Sequence, residues 1–184
     1  MSSIHSSVKT GTPVPRNSKV LPRPKAQARP ARPRAEPVQK DAVAMLRADH
    51  AAVARLFAAC GRARSRPDKK ALVAEISRSL SVHAQIEEEI FYPAVRASLK
   101  DASLLPEALI EHGGMKDLIA QLAVDEPDAA VFDARVKVLS EYVRHHVKEE
   151  QTRMFPQVRA SALDLQALAG RLRAREAELK AARP

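Results

Sequence analysis

From Asp41 onward, apolar residues recur three and four positions apart, the period of a helix with one buried face. The first such stripe reads Val43, Leu46, His50, Val53, Phe57. After the loop GRARSRPD, a second helix is predicted from about Lys69 to Ser98, with Leu72, Ile76, Leu80, His83, Glu87 and Ile90 inward. A third begins near Ser103 with Pro106 in its first turn, where a missing N–H is tolerated; its stripe is Leu105, Leu109, His112, Met115, Ile119, Leu122. The fourth follows the turn DEPD and presents Phe132, Val136, Leu139, Val143, His146, Glu150 and Met154. Every apolar seam is thus interrupted by a histidine, and two of them by a glutamate as well.

Short loops make neighbouring helices antiparallel, so residues 41 to 160 are expected to form an all-α four-helix bundle. A last segment, residues 161 to 184, spaces Leu165, Leu168, Leu172 and Leu179 among Arg and Glu. It is read as an additional C-terminal amphipathic helix that packs on the bundle or pairs two chains as a homodimer.

The two halves of the bundle repeat. His50 and His112 are 62 residues apart, while His83 and His146, Glu87 and Glu150, and Pro93 and Pro156 are each 63 apart. Each half therefore has a lone His on its first helix and H-x-x-x-E on its second, with Pro six residues after the Glu. Residues four apart lie about 40° from each other around a helix and one turn along it, so each H-x-x-x-E presents N and O ligands in one direction. Four imidazoles and two carboxylates converge on the core.

Two ionised carboxylates in a seam without Lys or Arg are costly to bury unless a cation neutralises them. A metal site formed by His50, His83, Glu87, His112, His146 and Glu150 resolves that conflict. The ligands are all N and O, which suits iron or manganese, with zinc accessible through imidazole. Two His per ion and two bridging Glu favour a pair of metals, with a further position filled by a shared oxide or hydroxide and room for a small ligand.

This pattern, His50, His83 with Glu87, His112, and His146 with Glu150, resembles the hemerythrin HHE cation-binding family. The resemblance implies an up-down-up-down bundle around a non-haem di-iron centre that handles O2, nitric oxide or peroxide, or senses or stores iron. The chain departs from the oxygen-carrying hemerythrins, which it resembles, at two positions. Where they have a second His on the third helix it has Lys116, and where they have an Asp on the fourth it has Gln151.

Several neighbours carry expectations of their own. His145 heads a competing H-x-x-x-E with Glu149, but the proline alignment selects His146, leaving His145 at the surface. Glu88, Glu89 and Glu149 are read as solvated faces. Asp49 and Glu111, each directly before a lone His, are placed for hydrogen bonds to imidazole N–H. Tyr142, one turn before His146, is read as inward, packing in the core or donating to a small ligand. Gly113 and Gly114, like Ala51 and Ala52 after His50, point to close helix approach or ligand access.

Charge adds one feature. Of the formal +9, residues 1 to 40 hold nine Lys or Arg against the single acid Glu36, whereas residues 41 to 161 hold 17 basic and 18 acidic side chains. Seven of the 13 prolines lie in that first segment, so it is read as a disordered basic tail. Its arginines faintly resemble a transit peptide, but its prolines oppose the helix such a peptide needs. One cysteine, Cys60, excludes an internal disulfide, and no stretch nears the roughly 18 apolar residues of a membrane span. A cytoplasmic protein is expected.

The leading function is a di-iron protein that binds or senses a small diatomic or peroxide ligand, with peroxide breakdown or oxidase-like chemistry as the catalytic possibility. The alternatives are a structural Zn or Mn module, and nucleic-acid association through the tail, which lacks aromatic residues for base stacking.

Overall fold

The computed structural model describes residues 40–101, 103–124 and 128–182. The expected basic tail lies outside the described residues apart from Lys40. Among the described residues there is no strand, and no helix is long and apolar enough to cross a membrane.

Helix α1, Ala42–Arg62, starts where Asp41 accepts the Ala44 N–H at 2.8 Å. Helix α2, Arg66–Ile86, begins slightly earlier than hydrophobic periodicity suggests, because Ser65 caps it by accepting from the Asp68 N–H and Pro67 sits in the first turn. The chain then runs without interruption through a π turn, Glu87–Phe91, into α3, Tyr92–Val95, and a 3-10 turn, Arg96–Ser98. Helix α4 is Leu104–Ala123. Helix α5, Ala129–Glu149, is capped by Asp128 and passes through a second π turn, Glu150–Met154, into α6, Phe155–Arg159. Helix α7, Leu165–Ala181, is capped by Asp164.

Both π turns begin at the inward glutamate of a half. Tyr92 N–H bonds to the Glu87 carbonyl and Phe155 N–H to the Glu150 carbonyl, five residues back instead of four. The cause lies one residue further on. Pro93 and Pro156 have no N–H to give, and a proline ring collides with the carbonyl four residues earlier, so the preceding turn widens.

The core is two apolar clusters with a polar layer between them. One cluster joins Val43 and Leu46 to Ile86, Phe91, Met154 and Phe155. The other joins Val53, Ile76, Leu80, Met115, Leu139 and Val143. Along every one of the four long helices the inward His lies between the two. Helix α7 closes the first cluster, burying Leu168, Ala169, Leu172 and Leu179. The apolar face proposed for dimer pairing is therefore covered by the chain's own bundle. Ion pairs fasten it, including Arg175 Nε to Glu89 at 2.7 Å.

Two inward assignments are corrected. Leu109 is 48% exposed and Tyr142 49% exposed. The buried line of α4 runs through Leu104, Ala108, His112 and Met115, which puts Leu109 about 100° off it. On α5 the line through Phe132, Leu139, Val143 and His146 leaves Tyr142 about 80° from its centre. Tyr142 instead lies across Gly114, where an added Cβ would stand 3.1 Å from its ring, so Gly114 serves close helix approach; the space at Gly113 is open.

Candidate metal centre

All six sequence-selected residues are brought together and buried. Helices α1 and α2 supply His50 and His83, whose Nε2 atoms stand 2.9 Å apart; α4 and α5 supply His112 and His146, with Nε2 atoms 3.1 Å apart. Glu87 reaches across both pairs, Oε1 lying 3.2 Å from His83 Nε2 and Oε2 3.5 Å from His112 Nε2. Glu150 Oε2 lies 3.2 Å from His50 Nε2 and 3.7 Å from His146 Nε2. Ligand atoms of His50, His83, Glu87 and Glu150 fall within 4.8 Å of one another, as do those of Glu87, His112 and His146.

These groups fit a cation. Glu87 Oε1 and Oε2 and Glu150 Oε2 are buried with no hydrogen-bond donor. A buried carboxylate oxygen without a donor carries a large desolvation penalty that a metal ion removes. All four Nε2 atoms point at the same space, leaving every Nδ1 to the surroundings.

Each Nδ1 has a polar neighbour. Glu88 stands 2.9 Å from that of His112, Glu111 2.8 Å from that of His146, and the Gln151 amide 3.2 Å from that of His50. Asp49 is 3.6 Å from that of His83. The two acids preceding the lone histidines therefore support the other histidine of their own half. Glu88, read as solvated, instead turns inward against His112 and pairs with Lys116. His145 is at the surface, 66% exposed, 3.3 Å from Glu111.

Tyr92 is the tyrosine of this site. It is buried, donates its O–H to Glu150 Oε1 at 3.1 Å, and lies 3.4 Å from His112 Nε2. In a regular helix a residue five beyond Glu87 would lie about 140° around from it. The π turn stacks the two on one side, and so brings the phenol to the polar layer. The signal available was the proline one residue later.

Burial and then the neighbouring His83 push the His50 imidazole down to about 3. Burial also brings His112 to about 3, against the pull of Glu87. For His83 burial opposes the charge, yet Glu87, Asp49 and Glu150 together raise its pKa well above 6.5. His146 is likewise raised by Glu111, Glu150 and Glu87 against burial. Burial, then Glu87 and Glu150, raises the Tyr92 phenol well above 10 and keeps it a donor. Without metal, then, burial disfavours charge on His50 and His112, while the surrounding carboxylates favour it on His83 and His146.

This sets a pH dependence. Below 6.5 the unfolded chain protonates His50 and His112 while the fold keeps them neutral down to about 3, so metal-free stability falls on acidification through that window. Above 6.5 the fold holds protons on His83 and His146 that the unfolded chain releases, so stability falls again as pH rises through their raised values. Denaturant titration of metal-free protein should give a maximum near 6.5; stability that rises steadily as pH drops from 6.5 to 4 would contradict it.

A paired substitution tests the tyrosine assignment. Tyr92→Phe removes a hydrogen bond to a carboxylate and should lower unfolding free energy by about 1.5–3 kcal/mol. Tyr142→Phe should change it by less than about 0.5 kcal/mol. The reverse order in denaturant midpoints would restore Tyr142 to the core.

The Hemerythrin HHE cation binding domain model matches residues 41–158. A crystal structure of a hemerythrin HHE cation binding domain-containing protein from Mycobacterium kansasii aligns with a TM-score of 0.66 at 22% identity, covering 78% of this chain and 90% of that one. At that identity the likeness is one of fold. A curated relative, a DNA nickase of Nostoc sp. (strain PCC 7120), is 30% identical over 115 residues, 62% of this chain and 32% of the nickase. The chain thus spans about a third of that relative's length. With the family match covering the whole bundle and a buried His and Glu cluster at its centre, the chain belongs to the hemerythrin HHE cation-binding domain family.

Proposed function

We propose that His50, His83, Glu87, His112, His146 and Glu150 hold two iron ions, and that this centre binds or senses a small ligand such as O2, nitric oxide or peroxide in the cytoplasm. The observation that carries the reading is the set of donor-less buried carboxylate oxygens facing four convergent Nε2 atoms. Two ligand groups that share Glu87 support two ions rather than one. An all-N/O donor set favours iron over softer metals, with manganese or zinc as the competing occupants. Bound iron supplies open coordination positions and a redox couple.

The protein's own residues set the ligand size. Beside the four histidines lies a cavity of about 20 Å3, walled by Val53, Leu80, Met115, Ile119, Val143 and Val147. A single water needs about 10–15 Å3, so the space suits a ligand of one or two heavy atoms. Its apolar side is completed at the rim by Asp49, Ser81 and Lys116.

Iron-loaded protein should therefore change its optical spectrum saturably with nitric oxide and remain unchanged with imidazole, which exceeds the cavity. Glu87→Ala should abolish the response by removing the shared ligand, and His145→Ala should preserve it. A response lost in His145→Ala would place the register of α5 one residue away. Zinc as the sole tightly held metal would leave the bundle a structural metal module.

A further inference from the structure

Besides the small cavity at its centre, the buried cluster borders two larger ones, one on each half of the repeat, and the halves treat them differently. On the first half, Met45, Val82 and Ile86 are buried in the apolar cluster that α7 closes, with Ile90 packed against it. Their repeat equivalents on the second half, 62 or 63 residues on, are Glu107, His145, Glu149 and Arg153. Four apolar positions have become polar or charged. Among the described residues, that second face borders a cavity of about 410 Å3 walled by α4, α5 and the second π turn, with no contribution from α7.

This cavity runs from exposed charges to the centre. His146 and Glu150, 2% and 1% exposed, form its floor, and Glu150 Oε2 is one of the donor-less carboxylate oxygens. Glu111 spans the depth between: Oε1 lies 3.3 Å from the surface imidazole of His145, and Oε2 2.8 Å from the buried one of His146. Arg153 crosses the mouth. Its guanidinium pairs with Glu149, lies 2.6 Å from Asp101 and 3.6 Å from Glu107, and so ties the π turn to the start of α4.

We infer that cations reach the buried cluster through this cavity between α4 and α5, that its acidic mouth collects them, and that Arg153 holds the mouth shut until a cation takes over its carboxylate partners. This rests on the reading of the six residues as a metal site. A cleft lined by one sign of charge focuses the field and raises association rates by about 10–1000-fold, an effect that salt weakens. Glu107, Glu111 and Glu149 outnumber Arg153 at the mouth, and Glu150 continues the negative charge inward. An ion that sheds water on the way in finds hard oxygen donors in place of it, from Glu149 at the mouth to Glu150 at the floor.

The cavity on the α7 side is less suited to a cation. Its volume, about 420 Å3, is similar, but of the six residues it meets His83 alone. Arg78 and Lys180 stand among its acids, Lys180 paired with Glu176. There His83 turns Nδ1 toward Asp49, while its Nε2 faces the centre. A cation entering by that side meets two fixed positive charges and neither carboxylate of the centre.

Uptake of Co(II) by the metal-free full chain, mixed in a stopped flow and followed by the visible absorption of the bound ion, tests the route. Glu107→Gln combined with Glu149→Gln should slow uptake about tenfold at low salt, with the deficit shrinking as salt is added and the final amount of bound metal unchanged. Arg153→Gln should speed uptake about threefold, because the mouth loses its cation. Glu75→Gln combined with Glu176→Gln, on the α7 side, should stay within about twofold of the unaltered rate. Unaltered rates in both mouth variants, or slowing by the α7-side pair instead, would overturn the route while full binding at the endpoint upholds the site. An unaltered chain that binds no Co(II) would overturn the metal reading itself.

Discussion

Glu87 and Glu150 are buried to the point of having almost no contact with solvent, and three of their four oxygens meet no donor. The rest of the bundle is arranged around that condition. Apolar clusters lie on both sides of the glutamates, so water cannot solvate them, and the imidazoles facing them present Nε2 lone pairs or protons. In the absence of metal the carboxylates favour protonated His83 and His146; cations at the cluster would neutralise the carboxylates instead and would leave the imidazoles free to act as ligands. Metal binding is then coupled to proton release and to the stability of the fold itself.

The order of helices, most of each inward stripe and the convergence of the six central residues were legible in the sequence, because a buried polar residue in an apolar stripe is conspicuous and the repeat offset ties the two halves together. What was not legible depends on departures from regular geometry or on reach across helices. Tyr92 is invisible to a 3.6-residue period because the π turn before Pro93 changes its direction. Tyr142 looked inward because it lies one turn from His146, but its helix places it at the rim. Glu88 sits between two other glutamates and reads as a charge run until α4 brings His112 and Lys116 against it.

Lys116 and Gln151 occupy positions where the oxygen-carrying hemerythrins, by resemblance, have metal ligands. In this chain both stand one step further out: Lys116 fixes Glu88 behind His112, and Gln151 backs His50 directly. Both contacts hold an imidazole of the buried cluster in place, and under the proposed two-ion reading they would leave fewer protein atoms to bind the ions. Helix α7 belongs to the same economy of burial, sealing the apolar cluster into which the π turns send Phe91 and Met154, beside Phe155.

Elemental analysis of the full chain purified from iron-supplemented cells tests the central claim most directly. Two iron ions per chain, falling in Glu150→Ala with the helical content retained, is the result the six-residue dinuclear centre predicts. One ion per chain, or none with the cluster intact, would contradict it.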